Sequence, residues 1–216
     1  MSVITKFIMK GGMFRLAPNI YVSVFSFFAL AFFVMGQGLS YSAVFISAIL
    51  IHEMSHIFFL HMFKAQIKCV TIFPFGIDIF ADTFCLSYKK ELICTLAGSF
   101  ANFCAAAIAC FLFMTAKLPL LLFFILCNIF LGVMNLIPLS FFDGGKAARL
   151  IIYDIFQIDK AYDIYKCFET ISGIFFLVLS AYVIKSSLFN LSVVLLVVYA
   201  SVVSLFRNKR KSTENS

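Results

Sequence analysis

The sequence predicts an all-α polytopic membrane protein of six transmembrane helices, with a short re-entrant β-like hairpin between the second and third. Three observations carry that expectation. Of 216 residues, 63% are hydrophobic and only 12% charged, and mean hydropathy is +1.05. A soluble domain of this size has no polar cover for so much apolar surface. Several apolar runs approach the roughly 20 residues that a hydrocarbon core requires. Lys and Arg gather on alternate loops, the pattern of a chain whose cytoplasmic face is basic.

Taken in order, residues 1–18 form a basic lead (Lys6, Lys10 and Arg15 around Gly11-Gly12, ending at Pro18) expected to lie on the membrane surface. Spans are expected near 20–35, 41–63, 92–115, 120–137, 168–184 and 188–206, all within one domain, 19–206. Gly36-Gln37-Gly38 turns the first span into the second, and Lys117-Leu118-Pro119 the third into the fourth. Residues 67–86 differ in character. Val70, Ile72, Phe73, Phe75, Ile77, Ile79 and Phe80 cluster around Pro74 and Gly76, with Asp78 and Asp82 among them. β-Branched and aromatic residues on either side of a Pro/Gly break suggest extended strands or a re-entrant hairpin, an amphipathic loop being the alternative. The stretch 146–166 is polar with helical character, and the tail 207–216 is basic and expected to be disordered. No CBS or PDZ domain is expected.

Basic residues crowd the lead, the loop around 64–90, the segment 146–166 and the tail, while only Lys117 and Lys185 fall in loops on the other side. That asymmetry predicts an integral, multi-pass membrane protein with both termini cytoplasmic. It also accounts for the net charge of +7 without any nucleic acid as partner. The seven cysteines form no CxxC pair and are odd in number, which argues against a disulfide framework or a cysteine metal site. No cleavable signal peptide is evident.

The second span contains Leu50-Ile51-His52-Glu53-Met54-Ser55-His56. Helical residues four apart lie about 40° apart around the axis, so His52 and His56 share a face. Two imidazoles on one face can hold zinc, and Glu53 beside them can act as general base towards the attacking water. An HExxH can arise by chance, and a lone helical histidine is more often packed than ligating. Here, however, each ionisable side chain at membrane depth costs about 2.5–3.5 kcal/mol unless partnered. His61, nine residues beyond His52, points the other way around the helix and reads as an interface residue. The third ligand must come from elsewhere. Asp143, after the fourth span and followed by Gly144-Gly145, is the leading candidate, with Glu91 and Glu169 weaker ones. Asp143 could equally N-cap a helix beginning near Gly144. Asn135 could be an amide bonded across helices.

His52-Glu53-Met54-Ser55-His56, the stretch Ala97-Gly98-Ser99-Phe100-Ala101-Asn102, and Asn135-Leu136-Ile137-Pro138 followed by Asp143-Gly144-Gly145 together resemble the site-2-protease intramembrane metalloproteases. The resemblance covers roughly residues 15–206 and is nearest to the six-span sporulation branch typified by stage IV sporulation protein FB. It implies zinc held by His52, His56 and Asp143, with Glu53 as catalytic base. It also implies that Phe75-Gly76 lies in a re-entrant segment near the cleft and that Asn135 and Pro138 position the substrate backbone. A membrane-tethered protein substrate such as pro-sigma-K, and membrane inhibitory or regulatory partners, follow from the same resemblance. Ser55 stands where a Gly is frequent, Ser99 where Pro is common, and Phe141-Phe142 where the approach to the aspartate is Pro-rich; none of these removes a catalytic group. The reading from another class is a non-catalytic metal-binding membrane protein, a carrier or a pseudoprotease. A carrier needs polar residues spread through several spans, and a pseudoprotease is expected to lack Glu53 or a ligand.

Overall fold

The computed structural model describes residues 13–186 apart from 24–25, 27–30, 32–33, 37, 74–75, 84–85, 140–141 and 157. They divide into two units, Met1–Val133 and Met134–Ser216.

The first unit opens with a hairpin. β1 (Met13–Ala17) and β2 (Ile20–Ser23) pair antiparallel through Pro18-Asn19. Proline presets its own φ, and Asn19 takes φ 66°, the positive value that a type II turn asks of its third residue and that asparagine tolerates. β2 pairs in parallel with β3 (Gln66–Phe73), Ile20 opposite Val70 and Val22 opposite Ile72. β3 in turn pairs antiparallel with β4 (Gly76–Asp82), giving the order β1-β2-β3-β4. A parallel pair needs a long crossover, and helix α1 (Leu39–Met62) lies in that connection.

Two expectations are corrected here. Ile20–Ser23, expected to begin the first span, is a strand, and Met13–Ala17 of the surface lead is its partner. The chain is therefore mostly helical with a four-stranded sheet rather than all-α with one hairpin. The physical reason is the open side of β3, whose backbone groups need partners wherever water is scarce. The Tyr21-Val22 run supplies them.

α1 packs against α2 (Tyr88–Ala116), and α3 (Pro119–Asn135) follows a left-handed Lys117, φ 48°. Pro119 suits the first turn of α3, where its missing N–H has no partner to lose. α1 closes in a Schellman motif: Lys64 sits at φ 59°, its N–H donates to the His61 carbonyl at 2.9 Å, and the Ala65 N–H to that of Leu60 at 2.9 Å. By length and composition, α1 and α2 can each cross a membrane, and α3 is a shorter apolar helix. Burial in these helices is inverted. Ser42, His52, Glu53, Ser99, Asn102 and Asn128 are inside, while Leu50, Phe58, Phe100, Ile108, Phe111 and Phe130 are exposed. Such a surface is stable against lipid, where the large side chains meet their own kind. A small apolar core of Ala106, Ala109 and Ile125, flanked by Phe113, Leu121 and Phe124, joins α2 to α3.

The second unit holds α4 (Asp143–Ile155) and α5 (Ile158–Ser186), which pack on each other. The polar stretch expected over 146–166 is thus most of α4 and the first turns of α5, which runs on through the span expected at 168–184. The span expected at 188–206 and the tail lie outside the described residues.

Candidate metal centre

α1 runs unbroken through the motif, so His52 and His56 lie one turn apart, edge to face, with ring centroids 4.8 Å apart. Each ring is oriented from behind. The His56 Nδ1–H donates to the backbone carbonyl of Cys94 at 2.7 Å. A carbonyl can only accept, so the proton sits on Nδ1. The His52 Nδ1 lies 2.8 Å from Asn102 Oδ1. Which end of that amide faces the ring is decided on its far side. Asn102 Nδ2 donates to the Ala48 carbonyl at 3.3 Å and to Asn128 Oδ1 at 3.0 Å, while Asn128 Nδ2 donates to the Phe124 carbonyl at 2.9 Å. Oδ1 of Asn102 therefore faces His52, and that ring too carries its proton on Nδ1.

The consequence lies at the other edge of both rings. With Nδ1 protonated, each Nε2 presents a lone pair, and the two Nε2 atoms are 3.2 Å apart. Two lone pairs at that distance repel unless a positive charge, a proton or a metal ion, lies between them. The backbone opposite makes room for one: a Cβ on Gly98 would fall on Nε2 of both histidines. Glu53, buried on the same helix, is about 100° around the axis from His52 and about 60° from His56. Residues of these types fit a catalytic zinc, which takes imidazole nitrogen and carboxylate oxygen and keeps one position for water.

In the second unit, Asp143 is the first residue of α4 and is buried. Phe142, not Asp143, occupies the cap position. One carboxylate oxygen of Asp143 accepts from Lys146 Nζ at 2.9 Å, one turn along the helix. The turn before α4 is tight: a Cβ on Gly144 would meet the carbonyl oxygens of Leu136 and Ile137, which is why glycine follows the aspartate. Asn135 is the half-buried last residue of α3, and Pro138 is exposed in the turn. Glu91, at the start of α2, accepts from the Thr83 hydroxyl at 3.2 Å, and Glu169 is half-buried within α5. His61 is exposed near the C-terminal end of α1. Gly76 begins β4 opposite Phe73, and Phe75 lies outside the described residues.

Sequence reasoning passed over Asn128 and the Cys94 carbonyl, and took Asn102 only as the end of the Ala97–Asn102 stretch that carries the family resemblance. An amide within a helix of hydrocarbon length was the available signal, because intramembrane polar groups are costly and kept for a use. A backbone carbonyl gives no sequence signal at all.

Residues 114–182 match the family described as Peptidase family M50. That segment includes Asn135, Pro138 and Asp143 but not the histidines. No curated protein sequence matches the chain. Among solved structures, the chain superposes on the site-2 protease from Methanocaldococcus jannaschii with a TM-score of 0.65 and 17% identity, covering 89% of this chain and 92% of that one. The fold is that of a site-2 protease. Within it, the histidine-bearing helix and its two supporting helices belong to the first unit, and the aspartate to the second.

Proposed function

We propose that this chain is an intramembrane zinc metalloprotease in which His52, His56 and Asp143 hold the metal and Glu53 is the general base. One observation carries the reading: both histidines are locked with their Nε2 lone pairs converging, an arrangement that calls for a cation. Asp143 adds a buried carboxylate, and the three side chains each offer one ligand atom of a kind suited to zinc. Bound zinc would supply Lewis acidity towards the scissile carbonyl and acidify the attacking water. Glu53 takes the proton of that water and passes it to the leaving amine.

A membrane-spanning substrate hides its carbonyls in intrahelical hydrogen bonds, so it must become extended before attack. β4 ends the order of the sheet and packs against α1, which suits it to receive an extended segment by strand addition beginning at Gly76, with Phe75 beside it. Asn135 and Pro138 flank the approach to Asp143 in sequence and are assigned to holding the substrate backbone. The substrate class is a membrane-tethered regulator cut near the cytoplasmic face, with both termini of the protease on that side. Pro-sigma-K is the first candidate to test.

Co-expression of a membrane-tethered pro-sigma substrate with wild type and with Glu53→Gln tests this. Wild type is expected to give a product, and the variant to slow cleavage by about 10²–10⁴-fold while retaining zinc. Equal processing by both would overturn the mechanism.

A further inference from the structure

Asn102 and Asn128 are fully buried, at 0% exposure, in the apolar middle stretches of α2 and α3. An interhelical amide needs only its contacts across the packed faces. These two do more, because their bonds run in one direction. His52 Nδ1–H donates to Asn102 Oδ1, Asn102 Nδ2 to Asn128 Oδ1, and Asn128 Nδ2 to the Phe124 carbonyl. The last acceptor is main chain of α3 and cannot reverse. Fixing it fixes Asn128, and Asn128 with the Ala48 carbonyl fixes Asn102. Turning the Asn102 amide over would set its oxygen against the Ala48 and Asn128 oxygens and its NH₂ against the protonated ring nitrogen, losing three bonds at once.

We propose that Asn102 and Asn128 act as a two-amide relay, anchored on the Phe124 carbonyl, that holds His52 as the Nδ1–H tautomer with Nε2 presented to the metal. Both are positioning residues, and the inference rests on the metalloprotease reading above. The relay also explains the choice of an amide over a carboxylate. A carboxylate is the commoner partner of a ligating histidine, but it would bring an unneutralised charge into a fully buried position between apolar helices. An asparagine accepts the same hydrogen bond without charge, at the cost of being reversible end for end. The second asparagine removes that ambiguity.

The test compares zinc affinity, by chelator competition in detergent, for wild type, Asn102→Leu, Asn102→Asp and Asn128→Leu. The tautomer of His52 is read by nitrogen NMR in the zinc-free protein. Asn102→Leu and Asn128→Leu are each expected to weaken zinc by roughly 10- to 100-fold. The second does so although Asn128 has no hydrogen bond to either histidine among those described. Asn102→Asp keeps an acceptor for His52 but sets its second oxygen against the Ala48 and Asn128 oxygens, so it is expected to recover only part of the affinity lost in Asn102→Leu. In zinc-free wild type, His52 is expected as the Nδ1–H tautomer, and in Asn128→Leu as a mixture. Leucine variants that bind zinc as tightly as wild type with His52 unchanged would overturn the relay, even if they melt earlier, and would leave the amides as interhelical glue. Should the leucine variants fail to fold, the wild-type tautomer decides, since Nε2–H at His52 contradicts the relay outright. Wild type that binds no zinc, yet shows the locked tautomer released by Asn128→Leu, would support the relay while sinking the protease reading.

Discussion

One turn of α1 separates two histidines that are held by different means. His52 is buried and leans on a side chain, Asn102, whose own orientation depends on a third helix. His56, more exposed, leans on main chain, the carbonyl of Cys94. The same ring state results from both. The difference lies in what can disturb it. A side-chain support is removed by one substitution and can be tuned by its neighbours, whereas a carbonyl support survives any replacement that keeps the helix. Substitutions around the pair should therefore have unequal effects, and their order is a test of the comparison.

The largest effect is expected where both supports fail together. Gly98→Val places its Cβ on Nε2 of both rings, and neither imidazole can yield without stretching its Nδ1 hydrogen bond. Zinc binding should fall by more than the roughly 10- to 100-fold expected for loss of one supporting residue, and cleavage with it. Metal content of the purified variant is the measurement. A full complement of zinc would mean that the cradle opposite the histidines is looser than its geometry implies.

An intermediate effect is expected where only the support of His52 is strained. Gly132 lies one turn beyond Asn128 on α3, and a Cβ there would come within 2.8–2.9 Å of the Phe103 ring on α2. Gly132→Ala must turn that ring or move α3 away from α2, and overpacking of this kind costs about 1–3 kcal/mol. Thermal stability in detergent should drop by an amount in that range. Zinc should weaken less than in Asn128→Leu, because the Asn102–Asn128 bond is stretched rather than removed. A larger loss of zinc than in Asn128→Leu would place the sensitivity of α3 somewhere other than the relay.

The comparison also explains what the sequence could reveal. The HExxH spacing fixed the shared face of His52 and His56 because helical geometry is periodic and local. α1, α2 and α3 begin and end within a few residues of the expected spans at 41–63, 92–115 and 120–137, since apolar length is likewise local. What stayed hidden depended on partners distant in the chain. Asn102 meets His52 across fifty residues and Asn128 across twenty-six. The strand Ile20–Ser23 was masked by the apolar run that follows it, although Pro18-Asn19 between two short runs was a usable turn signal. Its pairing with β3 is parallel, and so invisible to any hairpin argument.

The smallest effect is expected at Cys94, and it is the most discriminating. Its side chain is buried beside the bond that holds His56, so a thiol acting at the metal and a carbonyl acting behind the ring predict opposite results. Cys94→Ala leaves the carbonyl where it is and removes one sulfur atom from a packed position, a loss of about 1 kcal/mol in stability. Zinc affinity and substrate cleavage should both remain at wild-type levels. A matching replacement at Asn102, which supports the other ring through its side chain, should not be silent. If Cys94→Ala instead lost zinc, the thiol itself would be part of the centre, and the division between main-chain and side-chain support would no longer describe the pair.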